Sequence, residues 1–112
     1  YWAKEVSLDY KDKGISIEII DLRSLVPWDK ILIEESIKKT NKALVLHEAN
    51  LSGGVGSEIA SYISEHFFNL LDAPVVRVGS LDTPVPFSQG IEKDIYLPIS
   101  RIKEKIDYLL KY

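Results

Sequence analysis

The 112-residue sequence contains no cysteine, which excludes disulfide bonds, thiolate catalysis and cysteine-based zinc sites. It also lacks an excess of positive charge, since 14 Lys and Arg against 17 Asp and Glu give a net charge of −3, whereas a nucleic-acid surface normally needs a basic patch. No apolar run approaches the ~18 residues that a membrane span requires. The chain as a whole is 46% hydrophobic and 28% charged. This composition is expected of a single domain over residues 1–112 that can bury a core.

Apolar residues recur at helical spacing in four segments and at strand spacing in three. The sequence predicts helices over 1–13, 30–39, 57–71 and 100–112, and strands at 15–20, 43–47 and 74–78. Asp29 and Ser100 are expected to cap the second and last helices, and the prolines within 79–90 predict an irregular loop. The alternation of helix and strand indicates a parallel sheet with helices on both faces.

The first predicted helix begins at Tyr1 without a capping residue. Helices in proteins usually start with a side chain that satisfies the first free N–H groups. We therefore expect the chain to be a fragment whose first element is absent.

The stretch "HEANLSGGVGSEIA" (47–60) places a glycine loop between a predicted strand and helix. Such loops often hold phosphate. However, the spacing fits neither a dinucleotide fingerprint nor a P-loop, no lysine follows, and Glu58 puts a negative charge where an anion would lie. The glycines are therefore expected to permit a close strand-to-helix turn, with Ser57 and Glu58 forming part of the helix cap. An interface or substrate-approach loop and a phosphate site remain as alternatives.

His47 and Glu48 lie at the carboxyl end of a predicted strand, where open parallel sheets bind ligands. Because consecutive strand residues point to opposite faces, the two are not expected to share chemistry. His66 lies within a predicted helix and does not complete a metal-ligand spacing, and no serine stands in a G-x-S-x-G elbow. Residues 82–87 fit either a rigid crossing loop or a partner contact, so the residues alone predict no complete active site.

Several stretches together resemble one family: "IEIIDLRSLVPWD" (17–29), "SIKKTNKALVLHEANLSGGVGSEIA" (36–60), "LLDAPVVRVGSLDTPVPF" (70–87) and "YLP" (96–98). They are similar, over nearly the whole chain, to the C-terminal domain of the beta subunit of thiamine-diphosphate-dependent 2-oxoacid dehydrogenases. The resemblance implies a three-layer α/β/α sandwich of the transketolase C-terminal type with a mostly parallel sheet. In that family a strand precedes the first helix, so the first strand is expected to be missing here and a sheet edge to be exposed.

The resemblance also implies an activity for the parent enzyme, the oxidative decarboxylation of a 2-oxoacid with transfer of the acyl group to a lipoyl acyltransferase. "VPWD" and "HEANLSGG" look closer to branched-chain enzymes that act on 2-oxoisovalerate than to the mitochondrial pyruvate enzyme, with pyruvate or acetoin dehydrogenase as the alternative. In the family, thiamine diphosphate and magnesium are bound by the alpha subunit and the N-terminal beta domain. No catalytic, cofactor-binding or metal-binding residue is therefore expected in this chain, which alone would not be an enzyme.

The implied role of the chain is assembly. The expected partners are the alpha subunit and a second beta subunit in an α2β2 heterotetramer, and the peripheral-subunit-binding domain of the acyltransferase, in the prokaryotic cytoplasm or the mitochondrial matrix. Nucleic acid and membranes are not expected partners. The candidate interface or positioning residues are His47, Glu48, Ser52, Gly53, Gly54, Gly56, Asp82, Thr83, Pro84, Pro86 and Phe87.

Two alternatives of other classes remain. One is a stand-alone small-molecule or anion-binding α/β domain that uses the loop from Gly53 to Gly56. The other is another transketolase-like enzyme, such as a deoxyxylulose phosphate synthase, against which the segment "DTPVPF" (82–87) argues.

Overall fold

The computed structural model of the chain describes residues 1–88, 90–91 and 99–112, so the "YLP" motif lies outside the described residues. The described elements alternate along the chain much as expected. They are α1 (Trp2–Lys11), α2 (Lys30–Thr40), β1 (Leu44–Asn50), α3 (Val55–His66), a 3-10 helix (Phe68–Leu70), β2 (Val76–Ser80) and α4 (Ile99–Leu109).

The two strands form a parallel pair, which confirms the predicted sheet type. Leu44 pairs with Val76 and Leu46 with Val78, and the register then shifts so that Asn50 faces Ser80. Both strands extend beyond their predicted carboxyl ends, 43–47 and 74–78. The loops that follow the strands are consequently brought to one edge of the sheet.

Apolar side chains from helices cover both faces of this sheet. Leu44 and Leu46 pack on one cluster, whereas Val45 packs on the other, because alternate strand residues face opposite sides. The first cluster, which joins α1 and α4 to β2, is built from Val6, Tyr10, Val78 and Ile102. The second, which joins α2 and α3, is built from Ile33, Ile37, Ile59, Ile63 and Phe67. The α/β/α layering is thus confirmed.

The helix ends follow local chemistry in some places and not in others. The side chain of Asp29 accepts a 2.9 Å hydrogen bond from the N–H of Leu32, so the predicted cap of α2 is confirmed. The predicted caps at Ser57 and Ser100 are wrong, since α3 starts after Gly54 without a side-chain cap and Ser100 lies inside α4. The helix predicted to run to 71 ends at His66, because Phe67 leaves helical geometry and enters the second cluster.

The strand predicted at 15–20 is not formed. Its side chains alternate in part, with Ile15 and Ile17 on the first cluster and Ile20 on the second, whereas Ile19 is 45% exposed. A strand also needs a backbone partner, and the described part of the chain offers this segment no ladder. Among the described residues, β1 and β2 pair only with each other, so each has one edge without a strand partner. Residues 44–47 are half-buried rather than enclosed.

A buried hydroxyl fastens the last helix to the first. Tyr10, 1% exposed, donates a 2.5 Å hydrogen bond to the carboxylate of Asp107 on α4. Burial, together with this bond and the negative charge of Asp107, raises the pKa of Tyr10 to about 12. Lys103 pairs with Asp9 at 2.6 Å across the same helix contact and lowers the pKa of that carboxyl.

Candidate functional site at the carboxyl edge of the sheet

Four parts of the chain meet around the carboxyl ends of β1 and β2. They are His47 within β1, the turn at 51–54, the first turn of α3, and the loop at 81–88. The edge therefore gathers most of the candidate residues. The predicted position of His47 and Glu48 at the carboxyl end of the strand is wrong, because β1 continues to Asn50.

Three glycines form a close-fitting socket around the ring of His47. A Cβ atom at Gly56 would overlap the imidazole. A Cβ atom at Gly54 or at Gly79 would first meet a backbone carbonyl, that of Asn50 or of Ala49, and would lie 3.0 Å from the Cε1 atom of the ring. A side chain at Gly56 would have to displace the ring, and one at the other two positions would also have to shift the backbone. This confirms that glycine permits a close strand-to-helix approach, and identifies the imidazole as the group approached. Gly53 differs, because a Cβ atom added there would meet nothing within 4 Å. Its φ of +69° is required by the turn itself.

The His47 ring is held by shape rather than by hydrogen bonds. Its Nδ1 and Nε2 atoms are buried and have no hydrogen-bond partner among the described residues. Burial lowers the pKa of His47 below its ordinary 6.5, the positive charge of Arg77 lowers it further, and the backbone at Ala49 opposes the shift. The imidazole is therefore neutral near pH 7.

Arg77 ties β2 to the turn that follows β1. Its Nη1 atom donates to the carbonyl of Leu51 at 2.8 Å and to the hydroxyl of Ser57 at 2.5 Å. Ser57, expected to cap α3, instead donates to Leu51 at 3.2 Å. Sequence analysis missed Arg77 and Gly79. A lone cation and a glycine in the apolar stretch "PVVRVGS" were the available signals.

A second tether joins two candidate segments that lie 30 residues apart. The hydroxyl of Ser52 donates to one carboxylate oxygen of Asp82 at 2.6 Å, and its N–H donates to the other at 3.3 Å. These hydrogen bonds lower the pKa of Asp82. The pairing fixes the start of the "DTPVPF" loop to the glycine turn.

The remaining candidates lie outside the socket, and most of them are exposed. Glu48 is exposed, and its main-chain carbonyl accepts a hydrogen bond from the buried Ser80 hydroxyl. Thr83 and Pro84 are exposed, Pro86 is half-buried, and Phe87 projects fully into solvent. His47 and Glu48 therefore lie in different surroundings, as the strand periodicity predicted.

Metal ligands and open space are the two features that a metal or phosphate site would need here. The described residues contain no cluster of three His, Cys, Asp or Glu side chains that could hold a metal ion. The space beside Gly54 and Gly56, where a phosphate would approach the turn, is filled by the ring of His47. The other histidine, His66, stacks on Tyr62 at 3.9 Å, and its Nδ1 lies 3.0 Å from that residue's carbonyl. In the described ranges, no helix is both long enough and apolar enough to traverse a bilayer.

Comparison with known proteins identifies relatives that are all named as beta subunits of enzymes. The chain is 42% identical over 110 residues to the Arabidopsis thaliana mitochondrial 2-oxoisovalerate dehydrogenase subunit beta 2, a match that covers 94% of this chain and 30% of that protein. It is 41% identical to the Bacillus subtilis acetoin:2,6-dichlorophenolindophenol oxidoreductase subunit beta, with 86% and 28% covered. It is also 37% identical to the pyruvate dehydrogenase E1 component subunit beta of Gracilaria tenuistipitata var. liui, with 88% and 31% covered.

The chain spans less than a third of the length of these relatives. Residues 1–102 match the transketolase C-terminal domain, in agreement with the parallel α/β layering and with the resemblance found in the sequence motifs. The chain belongs to the transketolase C-terminal domain family, in the branch found in the beta subunits of 2-oxoacid dehydrogenases.

Proposed function

We propose that the chain is the C-terminal assembly domain of the beta subunit of a 2-oxoacid dehydrogenase. The observation that carries this proposal is that relatives named for three different substrates are all beta subunits, matched over 86–94% of this chain. A domain shared across substrates is better suited to a common structural task than to substrate recognition. The tethers at the carboxyl edge support that task, because they hold loops in place.

In this proposal the parent enzyme oxidatively decarboxylates a 2-oxoacid and transfers the acyl group to a lipoyl acyltransferase. Thiamine diphosphate and magnesium would be held by the alpha subunit and by the N-terminal beta domain. The filled space beside Gly54 and Gly56 supports a cofactor site elsewhere in the assembly. The partners proposed are the alpha subunit, a second beta subunit and the peripheral-subunit-binding domain of the acyltransferase.

A branched-chain 2-oxoacid such as 2-oxoisovalerate is the substrate we favour. The 42% identity to the Arabidopsis protein supports it, as does 45% identity over 83 residues to the Chaetomium thermophilum 2-oxoisovalerate dehydrogenase subunit beta. Acetoin and pyruvate are the alternatives, given relatives at 41% and 37%. Turnover of the assembled enzyme with each of the three substrates decides among them, and the largest kcat/KM identifies the natural one.

The loop at 81–88 is the surface we propose for contact with a companion subunit. Its start is fixed by the Ser52–Asp82 tether, and Pro84 and Pro86 restrict the backbone of its remaining residues. Val85 and Phe87 are 59% and 108% exposed. A preordered loop that presents apolar side chains loses little entropy on binding, so it is suited to act as an anchor.

Alanine substitution tests this contact. In the intact beta subunit purified with its alpha subunit, Phe87→Ala is expected to weaken subunit association about tenfold or more, as loss of a buried aromatic anchor does. Phe68→Ala is the matched control, since Phe68 is 78% exposed on the 3-10 helix beyond the carboxyl end of α3. Equal effects of the two substitutions, or none from either, would contradict the proposed contact.

Cofactor titration tests the assignment of chemistry to other domains. Calorimetry of this chain with thiamine diphosphate and magnesium is expected to give no binding heat, whereas the assembled enzyme binds both. Micromolar binding by the chain alone would contradict an assembly role. Micromolar binding of inorganic phosphate would instead favour the anion-binding alternative, which the ring of His47 beside Gly54 and Gly56 argues against.

A further inference from the structure

The imidazole of His47 is a buried polar group that is left unsatisfied. Buried polar atoms nearly always have hydrogen-bond partners, and an exception calls for an explanation. A neutral imidazole tolerates this site, but the protonated ring carries two N–H donors and a positive charge. No described acceptor makes a well-formed hydrogen bond to either nitrogen, and the carbonyl of Ala49 only partly offsets the effect of burial and of Arg77. The socket therefore favours the neutral ring over the protonated one.

The charged groups around the socket increase this preference. The positive charge of Arg77 on β2 disfavours protonation of the ring. On α3, Glu58 is exposed and makes no hydrogen bond to the ring, and Asp82 in the following loop is engaged by Ser52. From α4, Arg101 donates a 3.1 Å hydrogen bond to the carbonyl of Gly79. No described carboxylate therefore forms a hydrogen bond that would stabilise the protonated ring.

We propose that His47 is an acid-sensitive lock on the turn between β1 and α3. On gaining a second proton, the ring leaves the socket for solvent, and the turn at 51–54 opens. The carbonyl of Leu51 binds both Arg77 and Ser57, and Ser52 holds Asp82. Opening therefore loosens the start of the loop at 81–88 as well, so that a local protonation changes a surface some distance along the chain.

The direction of the effect follows from linkage. The pKa of His47 is lower in the folded state than its ordinary value of 6.5, so the closed socket is fully favoured above pH 6.5. This preference is lost as the pH falls below 6.5 towards the lowered value. Within that window, one coupled proton shifts the opening equilibrium by up to about tenfold per pH unit.

Hydrogen exchange of the intact protein between pH 8 and pH 5 tests the lock. After correction for intrinsic exchange rates, the amides of 51–57 in the wild type are expected to lose protection below pH 6.5, relative to those of α4. His47→Gln removes the titrating group and is expected to abolish this pH dependence. His66→Gln is the matched control, because His66 is the other histidine and is exposed at the far end of α3. It should behave as the wild type.

A wild-type turn that responds to pH no more than the His47→Gln turn would overturn the proposal. If that variant does not fold, histidine-selective ¹⁵N NMR of the wild type decides instead. Titration of His47 below 6.5, with turn resonances changing at the same midpoint, supports the lock. Titration at or above 6.5, or turn resonances that do not follow His47, overturns it. Neither measurement depends on subunit assembly, so its failure is distinguishable from failure of the proposed function.

Discussion

At the scale of single residues, the glycine-rich stretch is explained by the ring it surrounds. Glycine is commonly required where φ is positive, and Gly53 fits that reason. Gly54, Gly56 and Gly79 are required by lack of space, because a Cβ atom at Gly56 would meet the imidazole of His47, and one at Gly54 or Gly79 would meet a backbone carbonyl as well as the ring. Glycines that lie within four residues of one another thus serve two different physical purposes.

Gly56→Ala tests the socket directly. The added Cβ would overlap a ring that Gly54 and Gly79 already confine, so we expect a loss of about 1–3 kcal/mol in the free energy of unfolding, typical of overpacking. Urea denaturation measures it. In a double-mutant cycle, Gly56→Ala combined with His47→Ala should cost less than the sum of the two single changes. Strict additivity would show that the ring is not what the new methyl group meets.

At the scale of elements, each helix owes its position to a few contacts across layers. α4 is joined to α1 by the Tyr10 hydroxyl and by Ile102, which is 2% exposed in the first cluster. The hydrogen bond matters because the Tyr10 hydroxyl loses its water when the helices pack and would otherwise lack this partner. The ion pair between Lys103 and Asp9 is more exposed, so it contributes less.

Tyr10→Phe is expected to destabilise the domain by about 1–2 kcal/mol, because the hydrogen bond to Asp107 is lost. The raised pKa of about 12 adds a pH signature. The neutral phenol is favoured by folding, so its contribution is complete below pH 10 and is lost as the pH rises from 10 to 12. Stability of the Phe variant should fall less steeply over that range, as followed by circular dichroism. Tyr1→Phe, at a residue 98% exposed, should match the wild type; an equal slope in the Tyr10 variant would contradict this account.

At the scale of the whole molecule, apolar surface remains where neighbouring elements would be expected. β1 has an unpaired edge among the described residues. Before and within the first turn of α2, Leu25, Val26 and Ile31 are 49%, 92% and 71% exposed. Grouped exposed apolar side chains are typical of interaction surfaces, which agrees with a domain that functions inside a larger assembly.

We therefore expect this chain alone to self-associate in a concentration-dependent way, as measured by sedimentation velocity. Replacing two exposed side chains with charged ones, Val26→Asp together with Ile31→Lys, should weaken the association about tenfold, because burial of apolar area drives it. Tyr1→Asp is the control for adding charge at an exposed aromatic residue outside that group. A chain that stays monomeric at every concentration, or variants that associate as the wild type does, would contradict this reading of the surface.

Much of the fold follows from local pattern. The periodicity of apolar residues determines the helices and the two parallel strands, since a residue's face is fixed by its spacing. It also places Ile15, Ile17 and Ile20 correctly on opposite clusters, yet not in a strand, because a ladder depends on a neighbour that spacing cannot supply. The Asp29 cap could be predicted from the sequence because its partner, Leu32, lies three residues away. Ser57 was misread because its partners, Leu51 and Arg77, are brought to it by the packed sheet.

By itself, the sequence determined the family and the layer order, through motifs and short-range patterns. It indicated that glycine permits a close approach, but not what is approached. Only the tertiary structure decided that His47 fills the socket, that Arg77 and Ser57 share Leu51, and that Ser52 holds Asp82. These contacts join residues that are far apart in the chain, and their existence depends on the relative placement of β1, β2 and α3. Such placement results from packing of the whole domain, which no local stretch encodes.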